Sequence, residues 1–184
     1  HGLSICADLF VDENTSVLLP SPRWGNYDLV FGLRPRSNVI NYNVLGGEGP
    51  ISEWKWDVSA IEAALKKATG PTVLVINVPS NPIGYTPSEA EVDALVAVLQ
   101  SYKGPLTILL DEAYHGMEWD DSCYKESLLA KFRDLDPDRF LVVKIDGATK
   151  EFFFFGGRVA FLSFLTPAES AAVLEEKVIA AIRS

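Results

Sequence analysis

Asp146-Gly147-Ala148-Thr149-Lys150-Glu151-Phe152-Phe153-Phe154-Phe155-Gly156-Gly157-Arg158 lies between two apolar runs, Phe140 to Ile145 and Val159 to Leu165. The first run has the length and branched residues of a buried strand. A lysine just past such a strand stands where open α/β sheets hold their ligands, in the crevice beyond the carboxyl ends of the strands. Arg158 follows Lys150 by eight residues, across a Gly-rich turn. An amine and a planar guanidinium so spaced are suited to a phosphate-bearing aldehyde. The lysine forms an imine, and the arginine clamps the phosphate in a bidentate fork.

Outward from that stretch, short strands alternate with helices. Helical spacing is expected over Leu3–Val11, ended by Asp12-Glu13-Asn14. A strand over Ser16–Leu19 is stopped by Pro20-Ser21-Pro22, and a short helix runs from Arg23-Trp24-Gly25-Asn26-Tyr27 to Phe31. Asn38–Tyr42 reads as a strand. Asp57 reads as the N-cap of a helix ending near Lys67. Thr72–Asn77 is a buried strand that delivers the tight loop Asn77-Val78-Pro79-Ser80-Asn81-Pro82-Ile83-Gly84. An amphipathic helix spans Pro87–Gln100, with Pro87 in its first turn and Glu89 and Glu91 complementing its dipole. Leu106–Leu110 is the next strand, Tyr124–Phe132 a short helix, and Pro167–Ile182 the final helix. The pattern predicts a three-layer α/β/α sandwich whose mixed sheet is mostly parallel, with one antiparallel strand entering after Arg158.

Composition narrows the function. The chain has 184 residues, is 48% hydrophobic and has a mean hydropathy of +0.12, enough for one domain with a sizeable core. A net charge of -9 argues against nucleic-acid and anionic-membrane partners, because no basic stripe exists to release counterions. No apolar run reaches the length of a membrane span. Cys6 and Cys123 have neither disulfide nor metal spacing, which fits a reducing, cytoplasmic compartment. Glu118, Asp120 and Asp121 match no calcium loop and read as a solvated turn.

The strand ends carry the chemistry: Asn81, Asp111 with Tyr114, Lys150 and Arg158. An aspartate ending an apolar strand is costly to bury without a charged partner, and a pyridinium nitrogen is such a partner. Pyridoxal phosphate presents one, and a carboxylate keeps that nitrogen protonated. Tyr114 and Asn81 are suited to its 3′-oxygen, and Trp24 offers a face for the ring. Singly, each also reads as a turn or packing residue. In this order and at strand ends they read together.

These residues resemble the large domain of a fold-type I pyridoxal-phosphate-dependent aminotransferase, of the aspartate aminotransferase superfamily (class I/II). The resemblance is carried by Pro20-Ser21-Pro22-Arg23-Trp24-Gly25-Asn26-Tyr27, the Asn77–Gly84 loop, Asp111-Glu112-Ala113-Tyr114, and Lys150 with Arg158. It implies that residues 1–184 form the cofactor-binding large domain. Trp24 is similar to the aromatic that stacks on the cofactor ring, Asn81 and Tyr114 to the groups that bind its 3′-oxygen, and Asp111 to the pyridinium partner. Lys150 is similar to the Schiff-base lysine and Arg158 to the phosphate-binding arginine.

The implied activity is transamination of an α-amino acid with a 2-oxo acid on pyridoxal 5′-phosphate, in a homodimer. A β- or γ-lyase of the same fold, or a cofactor-binding effector domain of a transcription regulator, are the alternatives. Two departures stand out: Gly147 replaces the family's serine phosphate ligand, and Ile83 replaces a threonine. The family's Gly-rich phosphate turn is expected just upstream of His1 and its small domain beyond Ser184. The isolated chain is therefore expected to be inactive.

Overall fold

The computed structural model describes residues 1–157 and 159–183. Its centre is a sheet of six strands in the order β2-β1-β5-β6-β7-β8. These are β1 (Ser16–Ser21), β2 (Asn38–Asn43), β5 (Thr72–Asn77), β6 (Leu106–Asp111), β7 (Phe140–Gly147) and β8 (Ala160–Leu165). All neighbours pair in parallel except β7 and β8, which are antiparallel. The predicted mixed sheet and its single reversed strand are both present. Two short strands, β3 (Leu45–Gly46) and β4 (Lys55–Trp56), form a separate antiparallel pair.

Side chains alternate across the sheet, so each central strand feeds two cores. Leu18, Leu74, Ile76, Ile108, Leu110 and Val142 face one side. They meet α2 (Val58–Lys67) through Ile61 and Leu65, α3 (Glu89–Ser101) through Val92, Leu95 and Leu99, and α4 (Leu128–Phe132) through Phe132. Val17, Leu19, Val73, Val75, Leu109 and Val143 face the other side, against Cys6 and Ala7 of α1 (Gly2–Phe10) and against Tyr27 and Phe31. Cys6 is fully buried, as the apolar run around it predicts. The three layers are therefore two sets of helices on one sheet. After β7 come the single turn α5 (Ala148–Glu151), then β8 and α6 (Ala168–Arg183), which runs against α1.

Local chemistry explains where the elements depart from the sequence reading. Strand β1 continues through Pro20 to Ser21. Its pairing with β5 ends at Leu18, so beyond that point only the β2 side needs partners, and a proline is tolerated at such a half-free strand end. Helix α3 begins two residues after Pro87: Ser88 is its N-cap, and Ser88 and Glu91 close a reciprocal capping box. Asp57 caps α2 as predicted, accepting from the Ala60 amide at 2.9 Å. The expected Tyr124–Phe132 helix is reduced to Leu128–Phe132. Ser127 caps it, and Glu112 Oε1 accepts from both the Ser127 hydroxyl and the Leu128 amide, fixing the helix start there. The helix expected to end at Phe31 lies at Asp28–Leu33 and is wound as a π-helix.

Candidate active site

Three strands end level with one another. In the register of the sheet Asn77 is opposite Asp111, and Asp111 is opposite Ile145. The loops that leave these ends enclose a cavity of about 290 Å³ at the carboxyl edge. Trp24, Asn81, Asp111, Tyr114 and Lys150 all line it. Five predicted site residues, spread over 127 positions of sequence, thus meet in one crevice. Arg158, the sixth, lies outside the described residues.

Asp111 is the electrostatic centre. It is 6% exposed, and its carboxylate oxygens accept from the Tyr27 hydroxyl and, at 3.2 Å, from the Ala113 amide. Both donors are neutral. Burial pushes the Asp111 carboxyl above the ordinary carboxylate range, and the bonds from Tyr27 and Ala113 pull it partly back. A cation placed against it would reverse that penalty. The wall beside it is aromatic: Trp24, 41% exposed, meets Tyr27 edge to face with centroids 5.9 Å apart and planes at 83°.

Asn77 is a latch that the sequence did not single out. Its Nδ2 donates to the Asp111 carbonyl at 2.9 Å, and its Oδ1 accepts from the Asn81 amide at 2.8 Å. One buried side chain therefore ties the Asn81 loop to the end of β6. Asn81 Nδ2 in turn donates to the Tyr114 hydroxyl at 3.3 Å, so two groups assigned to one cofactor oxygen stand together. Tyr27 closes the Pro20–Tyr27 motif and opens a helix, but the sequence assigns it no role in the site. Its signal was its place three residues after Trp24, one helical turn away, which puts both rings on the same side of the chain.

Lys150 lies on α5, past the end of β7. Its Nζ stands 5.7 Å from the Tyr114 ring centroid and 5.4 Å from that of Phe155. Phe152 to Phe155 are all more than half exposed around it. Asp146 also lines the cavity, and its carboxylate is paired with Lys144 Nζ at 3.0 Å. Lys144 reaches back to Glu112, 3.5 Å away, whose carboxyl burial pushes up. Lys144 thus pairs the acids Asp146 and Glu112, while Asp111 is left with neutral donors alone. Among the described residues no cluster suits a metal ion, and no helix is long and apolar enough to cross a membrane. The Glu118–Asp121 loop forms internal turns: Glu118 accepts from the Gly116 amide, and Asp120 from Ser122.

A three-layer α/β domain with a crevice at its strand ends, lined by a buried carboxylate and a lysine among mostly apolar walls, defines a class of small-molecule site. Residues 1–183 match the family Aminotransferase class I and II, and the chain belongs to that family. It is 25% identical over 165 residues to a probable aspartate/prephenate aminotransferase of Rickettsia conorii, covering 87% of this chain and 38% of that protein. Among solved structures, N-succinyldiaminopimelate aminotransferase from Mycobacterium tuberculosis superposes with a TM-score of 0.74 at 25% identity, over 97% of this chain and 42% of that one. A PLP-bound putative aminotransferase from Clostridium difficile 630 superposes with a TM-score of 0.76 at 16% identity, over 99% and 43% of the two chains. The chain thus spans less than half the length of these relatives.

Proposed function

We propose that this chain is the cofactor-binding large domain of a pyridoxal-phosphate-dependent aminotransferase that exchanges the amino group of an α-amino acid with a 2-oxo acid. The observation that carries the reading is Asp111: a buried carboxylate with neutral donors only, in the same cavity as Lys150 and Trp24. That donor set fits a protonated pyridine ring, whose positive charge would offset the burial of the acid. Family membership and the PLP-bound structural relative point the same way.

Asp111 would hold the proton on the ring nitrogen, and Trp24 would cover one face of the ring and exclude water from it. Asn81 and Tyr114 would hydrogen-bond the 3′-oxygen, and Arg158 would hold the phosphate. When bound, the cofactor supplies an aldehyde to capture the amine and a cationic ring to accept the electron pair left by the departing α-proton. Lys150 Nζ would form the covalent link at rest. Once displaced by substrate, the same nitrogen would take the proton from the substrate α-carbon and deliver it to the cofactor carbon that had carried the aldehyde. Tyr114 and Phe155 flank this amine and leave it reachable from the cavity. The reading includes a cytoplasmic homodimer with amino-acid and 2-oxo-acid substrates. The acidic balance of the chain supports the exclusion of nucleic acid and anionic membranes.

The test is covalent. Borohydride treatment of the whole protein loaded with pyridoxal phosphate should leave the adduct on the peptide containing Lys150. An adduct confined to any other lysine would overturn the assignment.

A further inference from the structure

Tyr27 has a use that packing alone does not explain. It is 1% exposed, and its ring lies edge to face with Trp24 on one side and with Phe31 on the other, centroids 5.9 Å away in both cases. Its hydroxyl reaches across the fold to the carboxylate of Asp111, a partner 84 residues away. A buried phenol needs some partner, and a backbone carbonyl would serve: Tyr42, equally buried, donates to the Val75 carbonyl at 2.7 Å. Tyr27 instead donates to the Asp111 carboxylate of the cavity.

We propose that Tyr27 is a positioning residue that keeps Asp111 ionised and fixes the direction of its carboxylate toward the ring nitrogen of the bound cofactor. With the Ala113 amide on Oδ1 and the Tyr27 hydroxyl on Oδ2, each oxygen has one donor. Rotation of the carboxylate would break both bonds, so the remaining lone pairs keep a fixed direction. The ring that carries the hydroxyl also buttresses Trp24, so a single side chain sets the cavity's aromatic wall and its charge. The phenol remains the donor, because burial and the adjacent Asp111 charge push its own proton affinity well above the ordinary range. A hydrogen bond given to the ionised form of an acid favours that form.

Other titratable groups near this pair are Cys6 on α1, Tyr42 on β2 and Tyr114 after β6. Burial first, and the Asp111 charge second, push the Cys6 thiol up to about 12, so it stays neutral. Neither Cys6 nor Tyr42 donates a hydrogen bond to Asp111, which leaves Tyr27 and Ala113 in control of it.

The functional weight of this proposal rests on the reading of Asp111 as the ring-nitrogen partner, so the experiment is made without cofactor. Carbon-13 labelled aspartate carboxyls are titrated by NMR in the full chain, with the Asp111 signal identified by its loss in Asp111→Asn. Tyr27→Phe removes the hydroxyl and keeps the ring, and should raise the Asp111 midpoint by about one pH unit. Phe31→Leu removes packing from the same ring, keeps the hydroxyl and should leave the midpoint in place. Replacing the tyrosines with 3-fluorotyrosine, a more acidic donor, should lower the midpoint and needs no mutation that risks the fold. An unchanged midpoint in Tyr27→Phe, or an equal shift in Phe31→Leu, would overturn the proposal. Failure of the protein to bind cofactor would overturn the reading of the site and leave the titration standing.

Discussion

The two sides of the cavity are built differently. The aspartate side rests on β5, β6 and the Trp24–Phe31 segment, and almost every polar group there has a partner: Asn77 on Asp111 and Asn81, Tyr27 on Asp111, Tyr42 on Val75. Strand β6 is buried along nearly its whole length. The lysine side rests on α5, β8 and α6. Helix α6 has no buried residue, β8 is mostly exposed, and four consecutive phenylalanines face outward. A preorganised electrostatic half therefore stands against a loosely supported half that carries the Lys150 amine. Stability and charge placement should depend on the first, and covalent chemistry on the second.

Lys150→Ala is the sharpest way to break that comparison. It should abolish the covalent link and lower turnover of the whole enzyme by about a thousandfold, the scale of a positioned proton-transfer group. The melting temperature should hardly change, because Lys150 makes only ring contacts at 5.4 and 5.7 Å among the described residues. Loss of folding in this variant would mean that the lysine side also holds the domain together.

The converse pair tests stability. Leu95 is fully buried on α3, and Leu95→Ala should cost about 3–4 kcal/mol in denaturant unfolding. Val173 on α6 is 56% exposed, and Val173→Ala should change stability by less than about 0.5 kcal/mol. Equal costs would show that α6 is packed in solution against something other than the sheet body.

Asp111→Asn should slow turnover by about 3 kcal/mol, the usual weight of a preorganised charge facing charge that develops in the reaction. It should affect cofactor binding much less. The same change carries a pH signature. Burial raises the folded-state proton affinity of Asp111, so the ionised acid costs stability at neutral pH. That cost is fully present above the folded-state value and fades as pH falls through it toward the ordinary aspartate value near 3.9. In cofactor-free protein Asp111→Asn should therefore raise the melting temperature at pH 7, by about 2–4 °C for each kcal/mol relieved, with the gain shrinking toward pH 4. A gain that grew on acidification would reverse the sign argued here.

The same asymmetry governs what the sequence shows. The aspartate side was largely legible: Thr72–Asn77 occupies the strand read from its apolar run, Asp57 caps its helix, and Asp111 ends its strand. These features are local, written in runs and caps. Tyr27 was not legible as an Asp111 partner because the bond closes over 84 residues, and no short-range spacing records it. Asn77 reads from the sequence as a strand end and turn residue, but its latch needs β5 and β6 in register. Pro87 misled because its fixed backbone suits both a first helical turn and the residue before an N-cap. On the lysine side the apolar run Phe152–Phe155 would by composition be core, and its exposure is a property of the tertiary arrangement alone.

The smallest expected effect concerns two glycines on the lysine side, and it separates the cavity from its rim. Gly147 sits at the N-terminal cap of α5 with an extended backbone, φ -151° and ψ 132°. A Cβ built there would meet only the Val159 carbonyl, at 3.9 Å, so a side chain fits without strain. Gly147 also lines the cavity, so a serine hydroxyl would stand where the resemblance places a phosphate ligand. Gly147→Ser should tighten pyridoxal phosphate binding by about fivefold, the equivalent of one net hydrogen bond near 1 kcal/mol. Gly157 is the contrast: a Cβ there would overlap the Phe154 ring, so Gly157→Ser must displace that ring from the turn. It should weaken binding or leave it unchanged. Dissociation constants for both variants, from the quenching of tryptophan fluorescence by added cofactor, decide the matter. Tighter binding in Gly147→Ser alone would put the phosphate end of the site beside α5, whereas weaker binding in both would move it elsewhere in the cavity.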